Sequence, residues 1–279
     1  MNTRTYTQCR STGFTLIEMV VVIVITGVIA ASVAVFLRLP VQGYVDAARR
    51  AEISDIADTS LRRMVRDIRL ALPNSVRVTD GGKTLELLLT RTGGRYRTEG
   101  VGFLDFSQAT TSFAQLGPVS NGLGMTIVAG DKLVIYNLGI TGADTYAGDN
   151  SADIISVNNS APNEPVFNFS AKKFPFESPD ARFQVVAGPV SYVCDTAAGT
   201  LTRYSAYPLD PANPVQPTAV SLAASSAQRA LAANNVADCG FSYTPGVTAR
   251  SGVAALSLKI SLKGESVQLY QEAHVSNVP

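Results

Sequence analysis

Glu18 is the residue whose position most needs a chemical explanation. It stands between Gly13-Phe14-Thr15-Leu16-Ile17 and an apolar run, Met19 to Leu37, that holds no charged residue. A carboxylate at the edge of such a run is unfavourable by on the order of a few kcal/mol, so it tends to be kept for a task. The remaining chemistry-bearing residues are sparse. His274 is the only histidine, so His-paired nucleophilic catalysis and His-rich metal sites lack parts, and it reads as a surface residue on a strand. Gly93-Gly94 and Gly122-Leu123-Gly124 are turn glycines without the Gly-Lys-Ser/Thr of a phosphate loop. Asp144, Asp149, Asn150 and Asp153 are hard oxygen donors whose spacing matches no calcium loop; they form either an ordinary acidic loop or, as the alternative, a calcium cluster. No catalytic residue, cofactor or metal ligand is expected.

Three cysteines are present. Cys9 precedes the apolar run, whereas Cys194 and Cys239 lie in the strand-like runs Val190-Ser191-Tyr192-Val193-Cys194 and Val236-Ala237-Asp238-Cys239-Gly240-Phe241. An even number beyond a membrane helix suits an oxidising compartment. One disulfide closing a long loop is predicted, stabilising by about 2 to 4 kcal/mol; two buried free thiols are the alternative. No Cys-x-x-Cys pair points to a metal.

The elements that position these residues follow from patterning. The uncharged run spans roughly 28 Å as a helix at about 1.5 Å per residue, enough to cross a bilayer. Pro40 predicts a kink rather than a break. Beyond it Val45, Ala48, Ile53, Ile56, Met64, Ile68 and Leu72 recur every three or four residues, an amphipathic helix whose stripe packs on a sheet and which ends at Pro73-Asn74. Arg62, Arg63, Arg66 and Arg69, interleaved with Asp55, Asp58 and Asp67, read as a solvated face or subunit contact. A net charge of +1 argues against nucleic acid as partner.

After Pro73 the pattern alternates. A hairpin is predicted over Val76–Thr79 and Thr84–Leu89 about Asp80-Gly81-Gly82. A second short pair falls at Arg95–Arg97 and Val101–Leu104. Further strands fall at 132–136, 153–157, 166–169, 183–186 and 200–207. Leu256, Leu258, Ile260 and Leu262 alternate with polar residues in the clearest strand, which turns at Gly264-Glu265 and returns as a final strand expected to be central. Residues 137–181 and 208–233 read as long surface loops, with subunit docking as their natural role; simple disorder is the alternative for the second. With 279 residues, 46% hydrophobic, the chain holds one membrane helix and a soluble core of one or two domains.

A short leader carrying Arg4 and Arg10, then Gly13, then Phe14-Thr15-Leu16-Ile17-Glu18 and the apolar helix, resembles the N-terminus of type IV prepilins and type II secretion pseudopilins. The resemblance implies an α+β, pilin-like fold, a long N-terminal helix packed on a large antiparallel β domain. It also implies cleavage between Gly13 and Phe14 by a prepilin peptidase, with N-methylation of Phe14. A secretory signal would instead be cut beyond the apolar core, where Ala30-Ala31-Ser32 is a poor site. The freed Phe14 amine is cationic and costly to bury unpaired, so Glu18 of a neighbouring helix is a favourable partner that sets a helical stagger. Residence of Glu18 at the lipid headgroup level is the alternative.

The charged helix end Leu61–Arg69 before a large β domain is similar to the J-type minor pseudopilins. The cysteine runs and the closing His274-Val275-Ser276-Asn277-Val278-Pro279 resemble minor pilins of the mannose-sensitive haemagglutinin (MSHA) pilus. These resemblances imply a non-catalytic subunit that primes or caps a filament. Its partners would be other minor pilins or pseudopilins, the major pilin, the prepilin peptidase and the inner membrane. The layout expected is leader 1–13, transmembrane helix 14–40, amphipathic helix 41–72 and periplasmic β-rich domain 73–279. The protein would cross the inner membrane once and sit at the pilus tip when assembled. A type II secretion pseudopilin and a membrane-tethered adhesin or receptor are the alternative functions.

Overall fold

The computed structural model describes residues 13–119, 126–246 and 251–275. The leader up to residue 12, the glycines at 122 and 124, and residues 276–279 lie outside that range. The fold is α+β, a long N-terminal helix followed by a large antiparallel β domain. Contacts divide the chain into two compact units, the first ending at Ala51 and the second beginning at Glu52.

The first unit is helical from Leu16, where α1 (Leu16–Arg69) begins. It continues through Pro40 without a break. The large apolar side chains from Phe14 to Leu37 are exposed, and the helix is long and apolar enough to cross a membrane.

In the second unit the C-terminal part of α1 buries Ile53, Ala57, Leu61, Met64, Val65 and Ile68, residues spaced by three or four with one adjacent pair. Val45 and Ala48, expected on this stripe, are exposed. The stripe packs in one core with strand residues of two sheets. The helix ends at Arg69, three residues before the predicted end, because the chain already bonds to a strand there: Leu72 N donates to Leu88 O and Thr90 N to Leu70 O.

The nine-stranded sheet holds β1 (Arg77–Thr79), β2 (Thr84–Tyr96), β3 (Thr110–Leu116), β4 (Lys132–Ile135), β5 (Ser151–Asn158), β6 (Val166–Lys172), β7 (Arg182–Asp195), β8 (Thr200–Ser205) and β9 (Gln228–Asn234). β2 pairs with both β3 and β7, so the path β2-β3-β6-β5-β4-β7 closes on itself as a six-stranded antiparallel barrel. β2 and β7 are long enough to serve both barrel and open sheet. Their register shifts at Leu89/Thr90, opposite Gly188, whose φ of 124° suits glycine. The barrel is filled by Tyr96, Phe113, Phe167, Phe169, Phe174 and Phe183 with aliphatic neighbours. Gly94 is small of necessity, since a Cβ there would come within 2.9 Å of the Phe183 ring.

The second sheet is β10 (Val236–Thr244), β11 (Gly252–Leu262) and β12 (Glu265–Val275), in that order. Ala254, Leu256, Leu258 and Ile260 are buried in strict alternation, while Leu262, expected on the same face, is only partly buried. The turn between β11 and β12 is centred on Lys263-Gly264, φ 48° and 91°, the left-handed pair of a two-residue hairpin.

Several expectations are corrected. The final strand is an edge, not central: β11 holds the middle, and β12 alternates exposed side chains with partly or fully buried ones. Residues 137–181 are not one long surface loop: they contain β5 and β6, which include the strands expected at 153–157 and 166–169 and whose polar residues alternate with barrel-filling Ile154, Phe167 and Phe169. Residues 208–233 contain α2 (Ala219–Ala224), capped by Thr218, and most of β9, whose small alanines carry little strand signal but whose Ala233 is buried. Residues 101–104 form no strand, although Leu104 N donates to Arg97 O. β3 was not anticipated.

Candidate functional site

At the N-terminal motif, Gly13, Phe14 and Thr15 are exposed and precede the helix. Thr15 caps it: its Oγ1 accepts from Glu18 N at 3.3 Å, and its carbonyl accepts the first helical bond from Met19 N at 3.2 Å. Thr15-Leu16-Ile17-Glu18 is thus a Thr-x-x-Glu helix start. Glu18, in the first turn, is also favoured there by the positive end of the helix dipole. The motif therefore carries a local structural role that its apolar setting alone did not suggest. Its exposed helix presents a carboxylate four residues beyond Phe14.

Cys194 on β7 and Cys239 on β10 are joined by a disulfide, with Cα atoms 6.3 Å apart and side chains almost fully buried. The bridge ties the two sheets together within the core that α1 enters.

The acidic loop does not converge on one point. Asp149 Oδ2 accepts from Gly142 N and Asp144 N, Asp144 Oδ1 accepts from Tyr146 N, and Asn150 is buried against Thr145 and Asn137. Asp153 pairs with Lys132 on the adjacent strand at 2.6 Å. Among the described residues no group of three or more His, Cys, Asp or Glu could hold a metal ion. His274 is exposed on β12.

The charged helix end divides. Arg62 pairs with Asp58 on the exposed side at 2.6 Å. Asp67 instead points inward, a correction to its place on the solvated face. Its Oδ2 accepts from Tyr192 Oη and from Arg203 Nε, both at 2.8 Å. Burial, reinforced by the Asp67 charge, pushes the Tyr192 phenol well above its ordinary range.

Sequence reasoning missed a second buried cluster, at a cleft of about 320 Å³ under residues 208–218. Arg77 Nε donates to Glu86 Oε2 at 2.6 Å, its Nη1 to Pro214 O at 2.7 Å, and its guanidinium lies 3.5 Å from the centre of the Tyr146 ring. Tyr207 Oη donates to Glu86 Oε1 at 2.7 Å, which leaves Ser191 as donor to Tyr207. Burial raises the Glu86 carboxyl, against the lowering influence of Arg77. Both Glu86 oxygens are thus occupied, so the cluster clamps the 208–218 loop onto the β1–β2 hairpin. Its signal was the hairpin register, which sets Arg77 opposite Glu86.

A family model described as the prokaryotic N-terminal methylation motif matches residues 9–34, the stretch holding Gly13, Phe14, Glu18 and the start of the exposed apolar helix. Comparison with curated proteins and with solved structures gives no match.

Proposed function

We propose that the chain is a minor pilin or pseudopilin, a non-catalytic subunit anchored by its N-terminal helix and assembled with other such subunits. The observation that carries this is the methylation motif, matched at residues 9–34, at the head of an exposed uncharged helix long enough to cross a membrane. In this reading a prepilin peptidase cuts between Gly13 and Phe14 and methylates Phe14. The apolar helix stays in the inner membrane, and the β domain lies in the periplasm, where the Cys194–Cys239 disulfide forms. Glu18 pairs with the Phe14 amine of a neighbouring subunit. The helix-start geometry of Glu18 is compatible with this, since capping uses the Glu18 backbone N–H and the Thr15 hydroxyl.

Within that class, the closing segment's likeness to MSHA minor pilins favours a subunit that primes or caps a pilus. A domain built on a closed barrel and a second sheet supports a terminal position, where a subunit need not repeat along a filament.

The test is co-expression with a prepilin peptidase and mass spectrometry of the mature N-terminus. A methylated chain beginning at Phe14 is expected, with processing lost in Gly13→Val. A mature chain beginning beyond Leu37 would sink the reading. Glu18→Ala should still be processed and retained in the membrane, because a charge has left an apolar segment, but should crosslink less to partner subunits.

A further inference from the structure

The sheet edges of the second unit are treated unequally. β1 is only three residues long, and its Arg77 carbonyl accepts from Gln216 Nε2. The β2-to-β7 circuit closes and removes edges altogether. On β9 the helix lies close enough for Ser60 Oγ to donate to Ala232 O at 2.6 Å. β10 is bulged at Val236/Asp238, its Cys239 carbonyl accepts from Lys83 Nζ, and the turn at Gly82 approaches so closely that a Cβ there would lie 2.8 Å from Phe241 O. Among the described residues β12 shows none of these. Over eleven residues it pairs with β11 in unbroken register, contains no proline or lysine, and pairs with no other strand among the described residues. Its inward-facing Val267 and Leu269 are only partly buried against the core.

A long, unbulged edge is a template for strand addition. We propose that β12 is an interaction surface that pairs antiparallel with β12 of a second copy of this chain, about a two-fold axis at Tyr270. Of the symmetric registers, only this one pairs the strand over its whole length. It sets Glu265 against Val275, Ser266 against His274, Val267 against Ala273, Gln268 against Glu272, Leu269 against Gln271 and Tyr270 against itself. No like charges oppose each other: Glu272 meets a neutral amide, and His274 a hydroxyl. Odd-numbered residues meet odd-numbered ones, so the partly buried Val267 and Leu269 gain neighbours on the core side while the polar side stays wet. This pairing does not depend on how the N-terminus is processed.

Cysteine crosslinking of the full chain in detergent, in a Cys9→Ser background, tests it. Directly opposed antiparallel residues lie about 4.5 to 5.5 Å apart, within disulfide reach, whereas residue 268 would lie roughly 14 Å from its own copy. Tyr270→Cys alone should therefore give a covalent homodimer on mild oxidation, at least tenfold more than the exposed loop control Asn159→Cys. Gln268→Cys and Glu272→Cys should each give little alone but a mixed dimer when combined. Tyr270→Lys, which sets two ammonium groups face to face, should abolish that mixed dimer while the Cys194–Cys239 bridge, seen by peptide mapping, stays intact. Tyr270→Cys yielding no more dimer than the control, or linking to a different polypeptide, would overturn the proposal.

Discussion

The barrel core and the core that α1 enters bury apolar surface by opposite means. In the barrel, the backbone ring itself encloses the space, and rings fill it: Phe113 stacks on Phe167 at 5.5 Å and meets Phe183 edge-on at 5.0 Å. No helix residue and no cysteine is among that cluster's buried residues, and its polar tie is at the rim, where Tyr96 Oη accepts from Ser178 N at 2.9 Å. The other core lies among a helix and two sheets that are not joined into one ring. Aliphatic residues fill it, but apolar packing is non-directional and does not by itself fix how three layers align. Directional contacts are found there: Asp67 with Tyr192 and Arg203, Ser60 on the β9 edge, and the Cys194–Cys239 bridge. Closure supplies alignment in one region, and polar and covalent ties supply it in the other.

The sharpest way to break the comparison is in the barrel. Phe113→Ala removes a ring that meets four others, and should destabilise the β domain by about 3 to 5 kcal/mol in denaturant unfolding. A loss under about 1 kcal/mol would mean that the ring of strands, not its filling, holds the barrel.

The double variant Cys194→Ser, Cys239→Ser should cost about 2 to 4 kcal/mol. Hydrogen exchange should rise first in β10 to β12 and leave the barrel strands protected. Equal loss of protection in both regions would show that the two cores unfold as one.

Glu86 gives the smallest and most specific effect. Its carboxyl is raised by burial, so the folded state holds the proton more tightly than the unfolded one. The corresponding stability is present below the ordinary carboxylate range and is lost as pH rises through the raised folded value. Wild type should therefore lose stability relative to Glu86→Gln as pH is raised from about 4 towards neutrality. Parallel curves for the two proteins would show that Arg77 fully offsets the burial.

Local pattern alone disclosed the helix, the β1–β2 and β11–β12 hairpins and the N-terminal motif. Residues 19–37 are uncharged, Ile53 to Ile68 recur at helical spacing, and Leu256 to Ile260 alternate; each property lives within a few turns or one strand, so neighbours in sequence suffice to read it. Cys194 and Cys239 were legible as a pair by number and setting. The Arg77–Glu86 contact was half legible, since it follows once the hairpin register is known.

What the tertiary structure decided was which elements meet over long separations. Asp67 looks like its exposed neighbours along the helix, and only the placing of Tyr192 and Arg203 against it makes it a buried anchor. The alanine-rich β9 has a weak strand signal of its own, and becomes a strand because β8 supplies its hydrogen bonds. Barrel closure through β2 and the edge position of β12 are properties of strand order. Strand order is set by contacts between distant segments, and a side-chain pattern of period two names a buried face without naming the neighbour on either side.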